Sequence, residues 1–233
     1  MSCKICKGMG FLFREEGTET VAYPCTCRKE YDKKKEIEIK YIDAGIPKKF
    51  WYYTMDSYKK LPFPPKVRDE NATSISTIES IIEDPKKLIN GYRVLWIYGR
   101  DDNSGHTSLA IILGKELIEK HYKVKFIYMQ NLIDAFVKFN EKQTYFKDLE
   151  SYNVYIIDDA FDTSRSFISG DYTRVQLFNW INDALDKEKS FICTSNTEVD
   201  KLDTIYSQIQ TILKRNIKEL RLNGSVTTRT SHA

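Results

Sequence analysis

The stretch from Val94 to Lys120, VLWIYGRDDNSGHTSLAIILGKELIEK, constrains this chain more than any other. Val94 to Tyr98 is an uninterrupted apolar run of strand length. A polar loop bounded by Gly99 and Gly105 follows, and Leu109, Ile112, Leu113 and Leu117 then recur at helical spacing. Strand, glycine-containing loop and helix is the arrangement in which backbone N–H groups at a helix start cradle phosphates. Yet the loop ends Gly105-His106-Thr107-Ser108, with histidine where a phosphate-binding lysine is expected. The stretch is therefore either a working nucleotide site or the remains of one.

With 233 residues there is room for one good-sized domain and an appendage. Charged residues at 30% and hydrophobic residues at 41% describe a globular chain rather than a disordered one. The net charge of +3 is too small to argue nucleic-acid binding by itself. No apolar run approaches membrane-spanning length and Met1 to Gly10 lacks a signal-peptide core, so no membrane partner is expected. A cytoplasmic location follows as an expectation, and there free thiols persist.

That matters because four of the five cysteines precede residue 28. Cys3 and Cys6 form a Cys-x-x-Cys knuckle beside Gly8 and Gly10. Cys25 and Cys27 follow after Phe11-Leu12-Phe13 and Thr20-Val21-Ala22-Tyr23, two runs that read as a short hairpin. Two cysteine pairs separated by a hairpin suit a tetrahedral Cys₄ zinc ribbon, whose metal offsets the lack of a hydrophobic core. The second pair is Cys-x-Cys, a departure from the usual spacing. Four unligated thiols are the alternative; a redox dithiol is disfavoured, since no helix opens at the first pair to depress a thiol pKa.

From Arg28 to Ala44 the sequence reads as a helix of modest amphipathicity, ended by Gly45 and Pro47. Lys33 to Lys35 suit either a solvated helix face or contact with phosphates. Residues 46–72, with Pro47, Pro62, Pro64 and Pro65, read as an extended linker packed on the next domain. Phe50 to Tyr53 are expected to be packing residues rather than base-stacking platforms, which would need an exposed basic groove. The organisation expected is a ribbon and helix over 1–45, the linker, and a second domain over 73–233. There a helix opens on a capping box, Ser76-x-x-Glu79. Strands follow at 94–98, 124–128, 154–157, 191–193, 217–222 and 225–229, the first four alternating with helices. That alternation predicts an α/β fold with a parallel sheet and ligands at the carboxyl ends of its strands.

Three strand ends carry chemistry. The first is the loop from Gly99 to Thr107. The second is Asp158-Asp159 after Tyr155-Ile156-Ile157, a Walker B arrangement in which one carboxylate holds Mg²⁺ and the other polarises the attacking water. The third is Asn196, a neutral group placed to orient that water. Together, in this order, they predict a P-loop nucleotide-hydrolase scaffold.

On these residues the sequence resembles the DnaC/DnaI-type helicase loaders, a bacterial and phage clade of AAA+ ATPases that includes the transposition protein IstB. The resemblance covers nearly the whole chain. It rests on Gly8-x-Gly10-Phe11, Pro24-Cys25-x-Cys27-Arg28, Ala44-Gly45-Ile46-Pro47-Lys48 with Tyr58, and Ile156-Ile157-Asp158-Asp159. It ends with Leu177-Phe178-x-x-Ile181-Asn182 and Ile192-Cys193-Thr194-Ser195-Asn196. It implies an AAA+ core without a helical lid and an amino-terminal module that grips a hexameric DnaB-type replicative helicase. It further implies contact with single-stranded DNA and assembly of several copies on the helicase. By position, Gly99, Gly105, His106, Thr107 and Ser108 would hold ATP, and Thr107 and Asp158 would hold Mg²⁺. Asp159 would be the catalytic base, Asn196 the first sensor, and Cys3, Cys6, Cys25 and Cys27 the zinc ligands. Cys193 would be a plain buried thiol.

The departures point the other way. The family loop ends Gly-Lys-Thr and is one residue shorter, whereas this one carries Arg100, Asp101, Asp102 and His106. Ala184 stands where the family has an arginine, and Gln208 at the expected arginine finger. Losing such a finger costs about a thousandfold or more in rate, so weak or defective hydrolysis is expected. Two alternatives stay open: a non-enzymatic adaptor or decoy that keeps the AAA+ fold, and a transposition ATPase subunit, which the cysteine ribbon disfavours.

Overall fold

The computed structural model describes residues 3–99, 104–137, 142–161, 171–202 and 206–224. The chain divides into two compact units, Met1–Asp43 and Ala44–Ala233.

In the first unit, β1 (Phe11–Glu16) and β2 (Glu19–Pro24) pair antiparallel from Phe11 opposite Pro24 to Glu16 opposite Glu19. The helix α1 (Thr26–Asp43) begins two residues earlier than the sequence suggests, so Cys27 lies in its first turn. Flanking ion pairs at helical spacing, Arg28 to Asp32 (3.0 Å) and Glu36 to Lys40 (2.7 Å), support a helix with few buried residues.

The second unit starts with a short 3₁₀ turn (Lys48–Phe50) and α2 (Met55–Lys59), whose Thr54 and Ser57 cap each other's backbone N–H groups. The helix α3 runs from Pro65 to Glu83 and so starts eleven residues before Ser76, where the cap was expected. Pro65 occupies its first turn, where a missing N–H costs nothing. Residues 46–72, expected as extended linker, thus hold a 3₁₀ turn, α2 and the opening of α3. Ser76, expected at a capping box, lies inside α3 and donates to the Thr73 carbonyl at 3.1 Å.

A π-helical turn (Lys87–Tyr92) leads into β3 (Val94–Tyr98). There follow α4 (His106–Glu119), β4 (Val124–Tyr128), α5 (Met129–Val137), α6 (Lys142–Leu149), β5 (Val154–Asp158) and α7 (Asp171–Asp186). The last elements are β6 (Ser190–Ser195), α8 (Ser207–Lys214) and β7 (Ile217–Arg221). The strand expected at 225–229 lies outside the described residues. The sheet order is β4-β5-β6-β3-β7 with every pairing parallel. From β3 the chain travels to the far edge, fills inward through β5 and β6, and then adds β7 on the other side. The direction of travel reverses at β3, which makes its carboxyl end the topological switch point where ligands bind such sheets.

The α4 helix is buried on nearly every side, from Leu109 through Leu113 to Ile118. Gly114 brings it against the sheet, because a Cβ there would collide with the Ile156 side chain. On the opposite face, Tyr155, Trp180 and Phe191 pack ring against ring at 5.1–5.7 Å, in a core that includes Trp96. Among the described residues no helix follows β7, and none is long and apolar enough to cross a membrane.

Candidate functional site

The carboxyl end of β3 is pinned on both sides. The Gly99 N–H donates to the Ser195 carbonyl at 3.1 Å, and the Leu222 N–H donates to the Tyr98 carbonyl at 2.7 Å. Arg100, Asp101 and Asp102 fall outside the described residues, and the loop resumes at a fully buried Ser104. Gly105 then adopts a left-handed conformation (φ +86°) that turns the chain into α4. A Cβ at Gly105 would lie 2.7 Å from the Tyr58 ring, and the Tyr58 hydroxyl donates to the Ser104 carbonyl at 3.3 Å. Tyr58 therefore packs on the turn that starts the helix, and burial pushes its phenol well above the ordinary tyrosine range.

His106 is the first residue of α4, with its Nδ1 2.7 Å from the Ser104 hydroxyl. Burial lowers its pKa, against an opposing pull from Asp158 and Asp159. A histidine below its ordinary value of about 6.5 is neutral at pH 7. The position therefore supplies a hydrogen-bonding ring but no cation, at a helix N-terminus whose backbone N–H groups still favour an anion.

One residue on, the Thr107 hydroxyl donates to Asp158 Oδ1 at 2.8 Å, and the Thr194 hydroxyl donates to the same oxygen at 2.7 Å. The Asp159 N–H donates to Thr194 Oγ1 at 3.2 Å, and the Ala160 N–H to the Thr194 carbonyl at 2.7 Å. Thr194 thus ties the ends of β5 and β6 together and aims the Asp158 carboxylate at the start of α4. Sequence reasoning missed this role; the signal was a hydroxyl at the end of β6, one strand over from Asp158. Asp159 sits at φ +55°, a conformation costly for a residue with a Cβ, which turns the chain sharply after the strand.

The structure therefore gathers Gly99, Gly105, His106, Thr107, Ser108, Asp158 and Asp159 around the ends of β3 and β5. Asn196 is exposed just past β6. Ala184 is buried in the core, while Gln208, Arg215 and Arg221 are exposed on or after α8. Of the residues expected to be packing, Phe50 is buried and Trp51 half-buried. Tyr52 and Tyr53 are exposed, contrary to that expectation.

In the first unit, the sulfurs of Cys3, Cys6, Cys25 and Cys27 all lie within 4.8 Å of one another. Cys3 and Cys25 are 3.9 Å apart, and Cys6 and Cys27 3.4 Å. A zinc tetrahedron with bonds of about 2.3 Å has edges of about 3.8 Å, so the spacing of the four sulfurs is close to that of such a site. The Gly10 N–H donates to the Cys6 sulfur at 3.3 Å and is the chief cause lowering that thiol's pKa to about 6. Cys193 is buried inside β6, where burial raises its pKa to about 12.

No protein-family model matches the sequence. Among curated proteins, the chromosomal replication initiator DnaA of Borrelia duttonii is 24% identical over 194 residues. The match takes in 81% of this chain and 36% of that protein. The chain thus spans about a third of the length of the curated relatives it matches. Among solved structures, the DnaC helicase loader superposes with a TM-score of 0.59 at 19% identity, covering 76% of this chain and 99% of that one. DnaI superposes at 0.56 and 16% identity, covering 78% and 93%. DnaA bound to AMPPCP and single-stranded DNA superposes at 0.57 and 22% identity, covering 73% and 49%. The five-stranded parallel sheet flanked by helices is the AAA+ fold of the DnaC/DnaI-type helicase loaders and of DnaA, joined here to an amino-terminal cluster of four cysteines.

Proposed function

We propose that this chain is a helicase-loader-like DNA replication protein acting in the cytoplasm. It binds a hexameric DnaB-type replicative helicase through residues 1–45, several copies assembling on the ring, and its AAA+ domain contacts single-stranded DNA. The superposition on the DnaC loader, which takes in 99% of that chain, is the observation that carries the reading. Cys3, Cys6, Cys25 and Cys27 would hold a structural zinc ion, which supplies folding energy to a unit with almost no apolar core.

At the nucleotide site, the N–H groups around Gly105, His106, Thr107 and Ser108 would hold the phosphates of ATP. Thr107 and Asp158 would hold Mg²⁺, giving up the hydrogen bond they share without it. Asp159 would take the proton of the attacking water, and Asn196 would orient it. His106 brings no charge to the phosphates, so transition-state charge goes largely uncompensated and hydrolysis is slow. The same neutral histidine favours a second reading, in which the domain is a non-enzymatic adaptor that keeps the fold as a binding surface.

The test is capture of the purified replicative helicase of the native host by the tagged chain. Retention of the hexamer supports the reading, and its loss when Cys6 and Cys25 are both replaced by serine would assign contact to the first unit. A helicase that flows through unretained contradicts it. Turnover of ATP that disappears in Asp159→Asn would exclude the adaptor.

A further inference from the structure

The segment from Ile46 to Lys60 is held by an uncommon anchor. Lys115, on α4, is only 6% exposed, and its ammonium donates to the carbonyls of Phe50 (3.3 Å), Trp51 (2.6 Å) and Tyr53 (2.6 Å). Three acceptors match the three donors of an ammonium, and the Phe50 carbonyl at the end of the 48–50 turn also accepts from the Tyr53 N–H at 3.0 Å. The Trp51 indole N–H adds a bond to the Ile46 carbonyl at 2.9 Å. Phe50 turns inward, with Tyr53 edge-on to it at 5.3 Å.

With that backbone fixed, the rings turned outward are Tyr52, 72% exposed, and Tyr53, 42% exposed. Lysines flank them. Lys48 Nζ lies 5.9 Å from the Trp51 ring centre and Lys49 Nζ 4.9 Å from that of Phe50. Lys60 is exposed at the end of α2, whereas Lys59 is paired with Glu79. Asp56 is the lone carboxylate in the sequence from 48 to 60. Rings presented on a rigid backbone beside ammonium groups suit a flexible polyanion with flat, unpaired bases: the rings stack and the lysines neutralise phosphates. A duplex would offer the phosphates but not the ring faces.

We propose that residues 48–60 form a single-stranded nucleic-acid-binding surface, with Tyr52 and Tyr53 stacking on bases and Lys48, Lys49 and Lys60 neutralising phosphates. The proposal rests on the reading above for its choice of single-stranded DNA, and it names the residues that make the contact. Six residues past Tyr52 the same segment delivers Tyr58 onto Gly105, so the surface adjoins the nucleotide loop.

The experiment measures fluorescence anisotropy of labelled oligothymidylate with the full chain across a salt series. Tyr52→Ala is expected to weaken binding about tenfold, while Tyr52→Phe, which keeps the ring, binds as the wild type does. Lys48→Ala with Lys49→Ala is expected to flatten the slope of log affinity against log salt by about 1.4, near 0.7 for each phosphate released. All three variants alter exposed side chains, and an unchanged melting temperature checks that they fold. Tyr52→Ala binding as tightly as the wild type overturns the proposal and leaves the loader reading standing. A wild-type chain that fails to bind the oligonucleotide overturns the surface together with the single-stranded DNA limb of that reading, while helicase capture stays separately measurable.

Discussion

Replacing Lys115 with methionine removes an ammonium whose three acceptors cannot be removed with it. Methionine has nearly the same length and volume, so no cavity of consequence is left. What is lost is three charge-assisted hydrogen bonds, each worth about 1.5–3 kcal/mol net. Two offsets reduce that sum. The Tyr53 and Trp51 residues are exposed and half-buried, so water can replace the lysine at their carbonyls, and the variant no longer pays to bury a charge. A destabilisation of about 2–4 kcal/mol remains, most of it from the loosened turn, since the Phe50 carbonyl keeps the Tyr53 N–H as a donor at 3.0 Å. At about 2–4 °C per kcal/mol for a chain of this length, the Tm should fall by roughly 5–15 °C. Urea titration and calorimetry measure both quantities. A Lys115→Met variant within about 0.5 kcal/mol of wild type would show that the three carbonyls were already solvated and that Lys115 does not set the 50–53 backbone.

Three further outcomes follow from the sites. Because burial holds the folded pKa of His106 below its unfolded value, the native state binds fewer protons than the unfolded chain; this contribution to stability is present above about pH 6.5 and is lost as the pH falls through the lowered value. A bound triphosphate reverses the preference, so ATP binding should take up a proton and tighten from pH 7.5 to 6 by calorimetry, with His106→Lys binding tighter at pH 7.5 and losing the dependence; a flat wild-type profile contradicts it. Gly105→Ala places a Cβ 2.7 Å from the Tyr58 ring at φ +86°, which should cost about 1–3 kcal/mol in urea titration. Stripping zinc with a strong chelator should abolish the helical signal of α1 but leave the cooperative melting of the AAA+ domain, with about one zinc released per chain by a colorimetric assay; serine at Cys193 should change neither zinc content nor α1.

The parts of the fold that could be read from the sequence were those set by local pattern. The runs at Val94–Tyr98 and Val124–Tyr128 are strands with those bounds: the first is an apolar, buried inner strand of the parallel sheet, and the second an edge strand that carries Lys125 among its apolar residues. The start of α3 was not legible: Pro64 and Pro65 signal a break, and a break and a helix start use the same residue. Ser76 and Glu79 had the spacing of a cap but lie mid-helix, since tertiary packing of Ser74 and Ile78 carries the helix past them. At the site, Asp158 was legible from its position at the end of an apolar run, and it closes β5. Its partner Thr194 is 36 residues away in sequence, Tyr58 lies 46 from Ser104, and Lys115 lies 65 from Phe50, separations that no local pattern encodes. Tyr52 was misjudged for the same reason, since the Lys115 bonds that hold the 50–53 backbone join residues far apart in sequence.

The most direct test of the loader reading is native mass spectrometry of the zinc-loaded chain mixed with its host's hexameric replicative helicase. The expected spectrum shows the intact hexamer carrying one or more copies of this chain, and removal of zinc returns the hexamer to its bare mass. A spectrum holding only free hexamer and free chain, at concentrations of tens of micromolar and in the presence of ATP and Mg²⁺, would contradict it.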